Sequence, residues 1–170
     1  PVGFRDEGDR GARLDELVRR RYGLFSKPRF GLGGEGAQLL EFREGSLWRN
    51  GTTVEPARLT WDALGDGETV VCEMVRQGRF AARLFDRVVN TVRAITMLDP
   101  DDGRPFIAGA LLKIGTAESF PVDNVSAGAV LCDVDLETGR LGRGVLHYFW
   151  DEPLRFIDRH PDTGVVFEEQ

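Results

Sequence analysis

Arg93 and Lys113 are charged residues set inside apolar runs, and that placement is the first chemical signal in the chain. Arg93 lies in the run Val92 to Leu98, just after Asn90-Thr91-Val92, and Lys113 closes the run Phe106 to Ile114. A third run, Ala127 to Val134, follows, and turn-rich segments separate the three. The stretch Val88 to Val134 therefore predicts an antiparallel meander. In such a sheet strand ends lie side by side, so two fixed positive charges can be aimed at one spot, as a phosphate or an acyl-phosphate requires. Two solvent-facing strand positions would look the same in sequence.

Lys27 offers a third cation. It ends a short apolar run from Tyr22 to Ser26, and Pro28 biases it toward an extended conformation. Arg29-Phe30-Gly31-Leu32-Gly33-Gly34-Glu35-Gly36 comes next, and Ala37 to Phe42 resumes as a strand candidate. The pattern is a flexible hairpin whose tip exposes backbone N–H groups. Gly31, Gly33 and Gly36 formally satisfy G-x-G-x-x-G, but a dinucleotide fingerprint needs a helix directly after the glycines. Here AQLLEF is short and runs into Arg43-Glu44-Gly45. A Walker loop is excluded because no Lys-Ser or Lys-Thr follows the glycines. A lid over nucleotide phosphates, with Lys27 as its point charge, and a plain flexible hairpin both remain.

The elements that must carry these residues follow from periodicity and turn chemistry. GARLDELVRRR at 11–21 puts Leu14, Leu17 and Val18 on one helical face, with Gly23 as a stop. Asn50-Gly51 within Ser46 to Val54 signals a second hairpin, and Thr60 to Leu64 suits one helical turn. Glu68 to Val75 predicts a short buried strand, Phe80 to Phe85 about two helical turns, and Leu141 to Tyr148 a returning strand. The rest, through His160-Pro161-Asp162-Thr163-Gly164 to the strand-like GVVFEE, reads as loop with one more strand. No repeat or low-complexity segment is visible.

Composition narrows the function classes. A length of 170 residues fits one domain with a sizeable core, or a piece of a larger unit. The chain opens on Pro1 and stops at Gln170, and a fragment truncated at both ends is expected. A net charge of -6 argues against a nucleic-acid surface, the cluster Arg19-Arg20-Arg21 reading as a solvated helix end. Cys72 and Cys132 each lie in an apolar run, as buried thiols do. With His147 and His160 they give neither a zinc spacing nor a disulfide framework. No run approaches the length of a membrane span, and the cytoplasm is the expected compartment.

Order along the chain adds a resemblance. The lysine strand and glycine hairpin, a strand carrying Glu73, a strand arginine and a strand-end lysine resemble the ATP-grasp nucleotide-binding fold. Particular residues narrow it: Lys27-Pro28 with Gly33-Gly34-x-Gly36, Asn90-Thr91-Val92-Arg93-Ala94-Ile95-Thr96, Val122-Asp123-Asn124 with Ala127-Gly128, Asp135-Leu136-Glu137-Thr138-Gly139, and His160-Pro161-Asp162-Thr163-Gly164. These are similar to the sugar-transfer associated ATP-grasp family, relatives of the α-L-glutamate ligases, over roughly residues 23 to 170. The resemblance implies an α+β fold whose two lobes carry antiparallel sheets and close on ATP, about 11–76 and 77–170. It implies that Lys27 contacts the α/β phosphates and that Gly33, Gly34 and Gly36 form the lid. Glu73, Met74 and Val75 become an adenine hinge, Arg93 and Lys113 face the γ-phosphate and the acyl-phosphate, and Asn124 orients substrate.

Two departures stand against the family pattern. The hinge reads Cys-Glu-Met-Val where relatives more often show Gln-Glu. Such enzymes hold Mg²⁺ with an Asp and a Glu-x-Asn near the end of the domain, and no Glu-x-Asn appears after residue 128, which leaves the metal ligands unassigned, with Asp133, Asp135, Glu168 and Glu169 as weak substitutes. Asp123 reads equally as a turn residue bonding its own backbone, or as a partner that pairs with Arg93 and merely holds the sheet. The expected function is the ATP-binding domain of a ligase joining a carboxylate to an amine or another nucleophile. ATP and Mg²⁺ are its expected cofactors, and polysaccharide or peptide-like material its expected setting. A nucleotide-binding or partner-binding module without turnover is the alternative.

Overall fold

The structure, a computed structural model, describes residues 23–54, 69–146 and 153–170. The helix expected at 11–21, the turn at 60–64, Arg19-Arg20-Arg21 and His147 lie outside the described residues. The chain divides into two compact units, Pro1–Val75 and Arg76–Gln170.

The first unit holds a five-stranded antiparallel sheet in the order β4-β3-β2-β1-β5. Its strands are β1 (Leu24–Pro28), β2 (Gln38–Arg43), β3 (Ser46–Arg49), β4 (Thr52–Val54) and β5 (Thr69–Glu73). Two tight turns drive the meander. Arg43 faces Ser46 across Glu44-Gly45, and Arg49 faces Thr52 across Asn50-Gly51. All four turn residues have positive φ, between 50° and 81°, as two-residue hairpin loops matched to strand twist require. Glu44-Gly45, read from sequence as a break, is thus itself a hairpin turn. Asn50 does more than turn: its Oδ1 accepts the Leu39 N–H at 2.8 Å and its own N–H reaches the Leu39 carbonyl at 2.9 Å.

Among the described residues the strand expected to be buried around Glu68–Val75 is a sheet edge instead. There β5 pairs with β1 alone, and Thr69 to Val71 are half-buried while Cys72 and Glu73 are exposed. Cys72 is therefore not the buried thiol that its apolar neighbours suggest. An apolar run tells how a strand prefers to be covered, not how many neighbours it obtains.

The second unit also carries five antiparallel strands, in the order β10-β9-β8-β7-β6. They are β6 (Thr91–Leu98), β7 (Pro105–Ile114), β8 (Val130–Val134), β9 (Leu141–Leu146) and β10 (Arg155–Ile157), preceded by the helix α1 (Arg79–Leu84). The meander is as the apolar runs foretold, with one displacement: Val125–Ala127 forms a 3-10 turn ended by left-handed Gly128, so β8 begins at Val130. The closing strand falls at Arg155–Ile157 and not in GVVFEE, where Val166 makes only an isolated bridge with Arg159.

Three loops of this unit share one geometry. In Asp99–Arg104, Asp135–Arg140 and His160–Val165 the first residue's N–H bonds the last carbonyl, and the penultimate glycine's N–H bonds the first carbonyl, all at 2.8 to 2.9 Å. Gly103, Gly139 and Gly164 sit at φ 71°, 74° and 71°, a conformation that costs glycine nothing. The sequences DPDDGR, DLETGR and HPDTGV share that glycine, the polar residue before it, an acidic third residue, and a first residue whose side chain accepts the N–H two positions on.

The core lies on one face of this sheet. Leu112, Ile114, Val130, Cys132, Leu141 and Leu146 pack with Leu84, Phe85 and Val88 from the α1 segment and with Phe167, which is fully buried. An added Cβ at Gly144 would meet the Phe167 ring at 2.6 Å, so that glycine is what lets the ring approach β9 so closely. Burial in this hydrocarbon pushes the Cys132 thiol up to about 12. Among the described residues helix is confined to α1 and the 3-10 turn. The described chain is mostly β, where an α+β composition was expected.

Candidate functional site

Register settles which side chains of the second sheet share a face. Thr91 is opposite Lys113, Arg93 opposite Leu111, Lys113 opposite Leu131 and Leu111 opposite Asp133. Paired residues point the same way and successive residues alternate. Thr91, Arg93, Lys113, Leu131 and Asp133 therefore share the face away from the core, since Leu112, Val130 and Cys132 point inward. Arg93 and Lys113 are diagonal neighbours, about 7–8 Å apart at the backbone in such a ladder. Two long cationic side chains at that spacing can reach one polyanion.

The two cations are held very differently. Lys113 is half-buried, and its Nζ donates to Asp123 Oδ1 at 3.0 Å, with side-chain exposures of 22% and 14%. The Thr91 hydroxyl donates to the other oxygen, Asp123 Oδ2. Asp123 thus bonds neither its own backbone nor Arg93. Its loop carries it over the strand ends, where Thr91 and Lys113 face each other. Arg93 is exposed, and among the described residues it makes no side-chain hydrogen bond or ion pair. Asn124 donates from Nδ2 to Ser126 Oγ at 2.6 Å, within the turn that leads into Val125–Ala127.

What positions this corner is a set of buried polar bonds around Asn90 and His160. The Asn90 side chain donates to the carbonyls of Ala81 and Phe85 at 2.8 and 2.9 Å and accepts the Gly115 N–H at 2.9 Å. Gln77 accepts the Asn90 N–H at 2.9 Å and donates to the carbonyls of Phe85, at 3.0 Å, and Val88. These amides bond a carbonyl within α1 and two just beyond its end, and tie the helix to the start of β6 and the end of β7. From the other side His160 Nε2 bonds the Gly115 carbonyl at 2.8 Å, while Nδ1 accepts the N–H groups of Asp162 and Thr163 at 3.2 Å. The ring is therefore neutral with its proton on Nε2. It is 1% exposed and stacked on Phe85, and burial holds its affinity for a second proton below the ordinary histidine value. Thr163 Oγ1 caps the Leu84 carbonyl at 3.0 Å and Asp162 accepts the Ala117 N–H at 2.8 Å. The sequence reading gave Asn90 and His160 no role of their own. Each sits in a motif, and only the fold shows that both converge on Gly115.

In the first unit Lys27 is exposed near the end of β1, opposite Val70. The loop after it is built on left-handed Gly33, Gly34 and Gly36, with φ 69°, 83° and 69°. Gly36 lies so close to Pro28 that a Cβ would approach the proline Cγ to 2.8 Å, which returns the loop to the strand that carries Lys27. Phe30 and Leu32 stand out from the loop at 77% and 87% exposure. Glu73 ends β5, the Met74 N–H is taken by the Gly23 carbonyl at 3.2 Å, and Val75 is exposed.

The family model of the sugar-transfer associated ATP-grasp proteins matches residues 2–170. The chain belongs to that family. No curated protein and no solved structure matches it. Family membership implies an ATP-dependent ligase type of activity, and two antiparallel sheets with little helix are consistent with an ATP-grasp domain.

ATP-grasp proteins typically use ATP with Mg²⁺. Among the described residues no three His, Cys, Asp or Glu gather into a cluster that would hold a metal ion by itself, and Mg²⁺ at a nucleotide is ordinarily held by one or two carboxylates together with the phosphates. Asp135 is committed to its own turn: its Oδ1 accepts the N–H groups of Glu137 and Thr138 and the Thr138 hydroxyl, at 2.7 to 3.0 Å. The Thr138 N–H bond leads in holding that carboxyl below the usual range. One signal in the sequence would have marked the cations sooner. Of the 22 lysines and arginines, only Lys27 and Lys113 are lysines. A chain that otherwise uses arginine keeps the compact, rotatable ammonium at these two positions.

Proposed function

We propose that this ATP-grasp chain is the ATP-binding part of a carboxylate–nucleophile ligase, with an amine as the favoured nucleophile and polysaccharide or peptide-like material as substrate. Its proposed compartment is the cytoplasm. The observation that carries the reading is the face shared by exposed Arg93 and tethered Lys113, in a chain of this family.

The chemistry has two steps. A carboxylate oxygen takes the γ-phosphoryl group of ATP, releasing ADP and leaving an acyl-phosphate. The nucleophile then adds to the carbonyl carbon, and the tetrahedral oxyanion collapses with loss of phosphate. Negative charge collects first on the transferring group and then on the oxyanion, and fixed cations lower both barriers. In this reading Arg93 and Lys113 supply them. Lys27 holds the α/β phosphates as a point charge, and backbone N–H groups around Gly33, Gly34 and Gly36 cover them. Glu73 to Val75 read adenine through the backbone, and Asn124, turned toward Ser126, orients the substrate.

Arg93→Lys tests the assignment. Lysine keeps the charge and loses the planar fork, so kcat falls while ATP affinity changes little. A variant in which only KM rises makes Arg93 a ground-state contact. One that lowers the melting temperature but keeps kcat per folded molecule makes it a residue of the sheet.

A further inference from the structure

We propose that Asp123 is a positioning residue. With Thr91 it fixes the Lys113 ammonium over the end of the β6–β7 ladder, so that Lys113 is presented as a directed donor while Arg93 supplies the uncompensated charge. The inference rests on the reading above, in which this face receives an ATP phosphate.

Three observations converge. First, the carboxylate is split between two strands: Oδ1 takes Lys113 Nζ and Oδ2 takes the Thr91 hydroxyl, and these two residues are exact partners in the ladder. A carboxylate that only turned its loop would bond its own backbone. Second, the loop that delivers Asp123 is itself anchored. Thr116 Oγ1 donates to the Gly128 carbonyl at 2.9 Å, closing the loop across its base, and the Thr116 N–H bonds Ser119 Oγ at 2.9 Å. Its first residue, Gly115, is gripped by Asn90 and His160. An added Cβ at Gly115 would meet Val88 at 2.6 Å, so the loop's origin is also seated against the core. The acid is thus delivered by a rigid frame, as a group that sets another's geometry must be. Third, the lysine it holds is one of only two in the chain. Lysine's ammonium has three rotatable donors on a flexible stem, and without a partner it has no preferred direction. One bond to Asp123 removes much of that freedom and leaves its remaining donors for an anion. Pairing also offsets part of the local charge of Lys113, so the larger net attraction for an anion comes from Arg93.

The test uses the chain's two lysines against each other. Limited acetylation of the native protein, mapped by mass spectrometry, gives the rate at Lys113 with exposed Lys27 as internal reference, with and without ATP and Mg²⁺. In the unaltered protein Lys113 should react severalfold more slowly than Lys27, and ATP should slow both. Asp123→Ala should raise the Lys113 rate severalfold and abolish its protection by ATP, with Lys27 still protected. Asp123→Asn is isosteric, can still accept from Lys113 and can bond the Thr91 hydroxyl, so it should restore protection. Equal protection of Lys113 in Asp123→Ala and the unaltered protein overturns the positioning role. Failure of Asn to restore it also does so, since the carboxylate would then act through its charge alone. Lack of ATP protection at Lys113 in the unaltered protein overturns the functional reading and this role with it. The ratio of acetylation rates still reports the ion pair by itself, so the two failures are distinguishable. Thermal unfolding of each variant confirms that folded molecules are compared.

Discussion

Lys27 and Lys113 stand in sheets of equal strand number and opposite construction. The sheet that carries Lys27 is a run of tight hairpins whose buried apolar residues, among the described ones, are Leu24, Ala37, Leu39, Leu40 and Leu47, and its lysine is exposed beside a loop of left-handed glycines. The sheet that carries Lys113 is laid on a continuous core. Its lysine is tied to Asp123 at the rim of a network running through Gln77, Asn90, Gly115 and His160. The same residue type is presented in one case by an unencumbered strand end and in the other by a rigid scaffold. A cation that must meet a flexible triphosphate gains from reach, and one that must meet a developing charge gains from fixed geometry. Stability should therefore concentrate in the second unit around groups with no chemical duty.

The largest effect that sharpens this contrast is Phe167→Ala. It removes a fully buried ring from the second core and should cost about 3–5 kcal/mol in urea unfolding. Leu32→Ala, at an exposed loop tip, should stay within about 0.5 kcal/mol of the parent. Similar losses for both would erase the distinction.

His160→Ala comes next. It strands the Gly115 carbonyl and two N–H groups and should cost about 3 kcal/mol. The pH dependence has a definite sign. Because the folded protein holds His160 below its ordinary value of 6.5, the unfolded chain binds more protons as the pH drops. The stability due to this group is whole above pH 6.5 and is lost as pH falls through the folded value. Urea midpoints measured from pH 8 to pH 5 should decline, and the variant should flatten that decline.

Lys27→Ala should act on binding and not on folding. Loss of a hydrogen bond to a charged phosphate should weaken ATP by about 1.5–3 kcal/mol in calorimetry with Mg²⁺ present. The melting temperature should hold, because Lys27 is exposed at a strand end. An unchanged affinity would remove Lys27 from the nucleotide site. Among the variants expected to lose stability the smallest effect belongs to Asn50→Ala, which loses the bond to the Leu39 N–H and puts alanine at φ 50°, for about 1 kcal/mol.

Local chemistry determined much of this protein. Apolar runs and the turn residues between them marked the second sheet's meander, because alternation and glycine at positive φ are properties of short segments. Asn50-Gly51 announced its hairpin for the same reason, and the order of Lys27, the glycines, Arg93 and Lys113, with the motifs around them, carried the family resemblance that the match over residues 2–170 established. Whether a strand ends up central or at an edge depends on pairings between segments far apart in sequence. Cys72 and Glu73 were therefore misjudged as buried, and the final strand was placed at GVVFEE and not at Arg155–Ile157. Asp123 shows the limit most sharply. In the chain it is a turn residue ten positions from Lys113, and only the register that sets Thr91 against Lys113 brings two strands under one carboxylate. A hydrogen bond needs its atoms within about 3 Å, and sequence spacing sets such a distance within one element but not between elements whose packing a whole core decides.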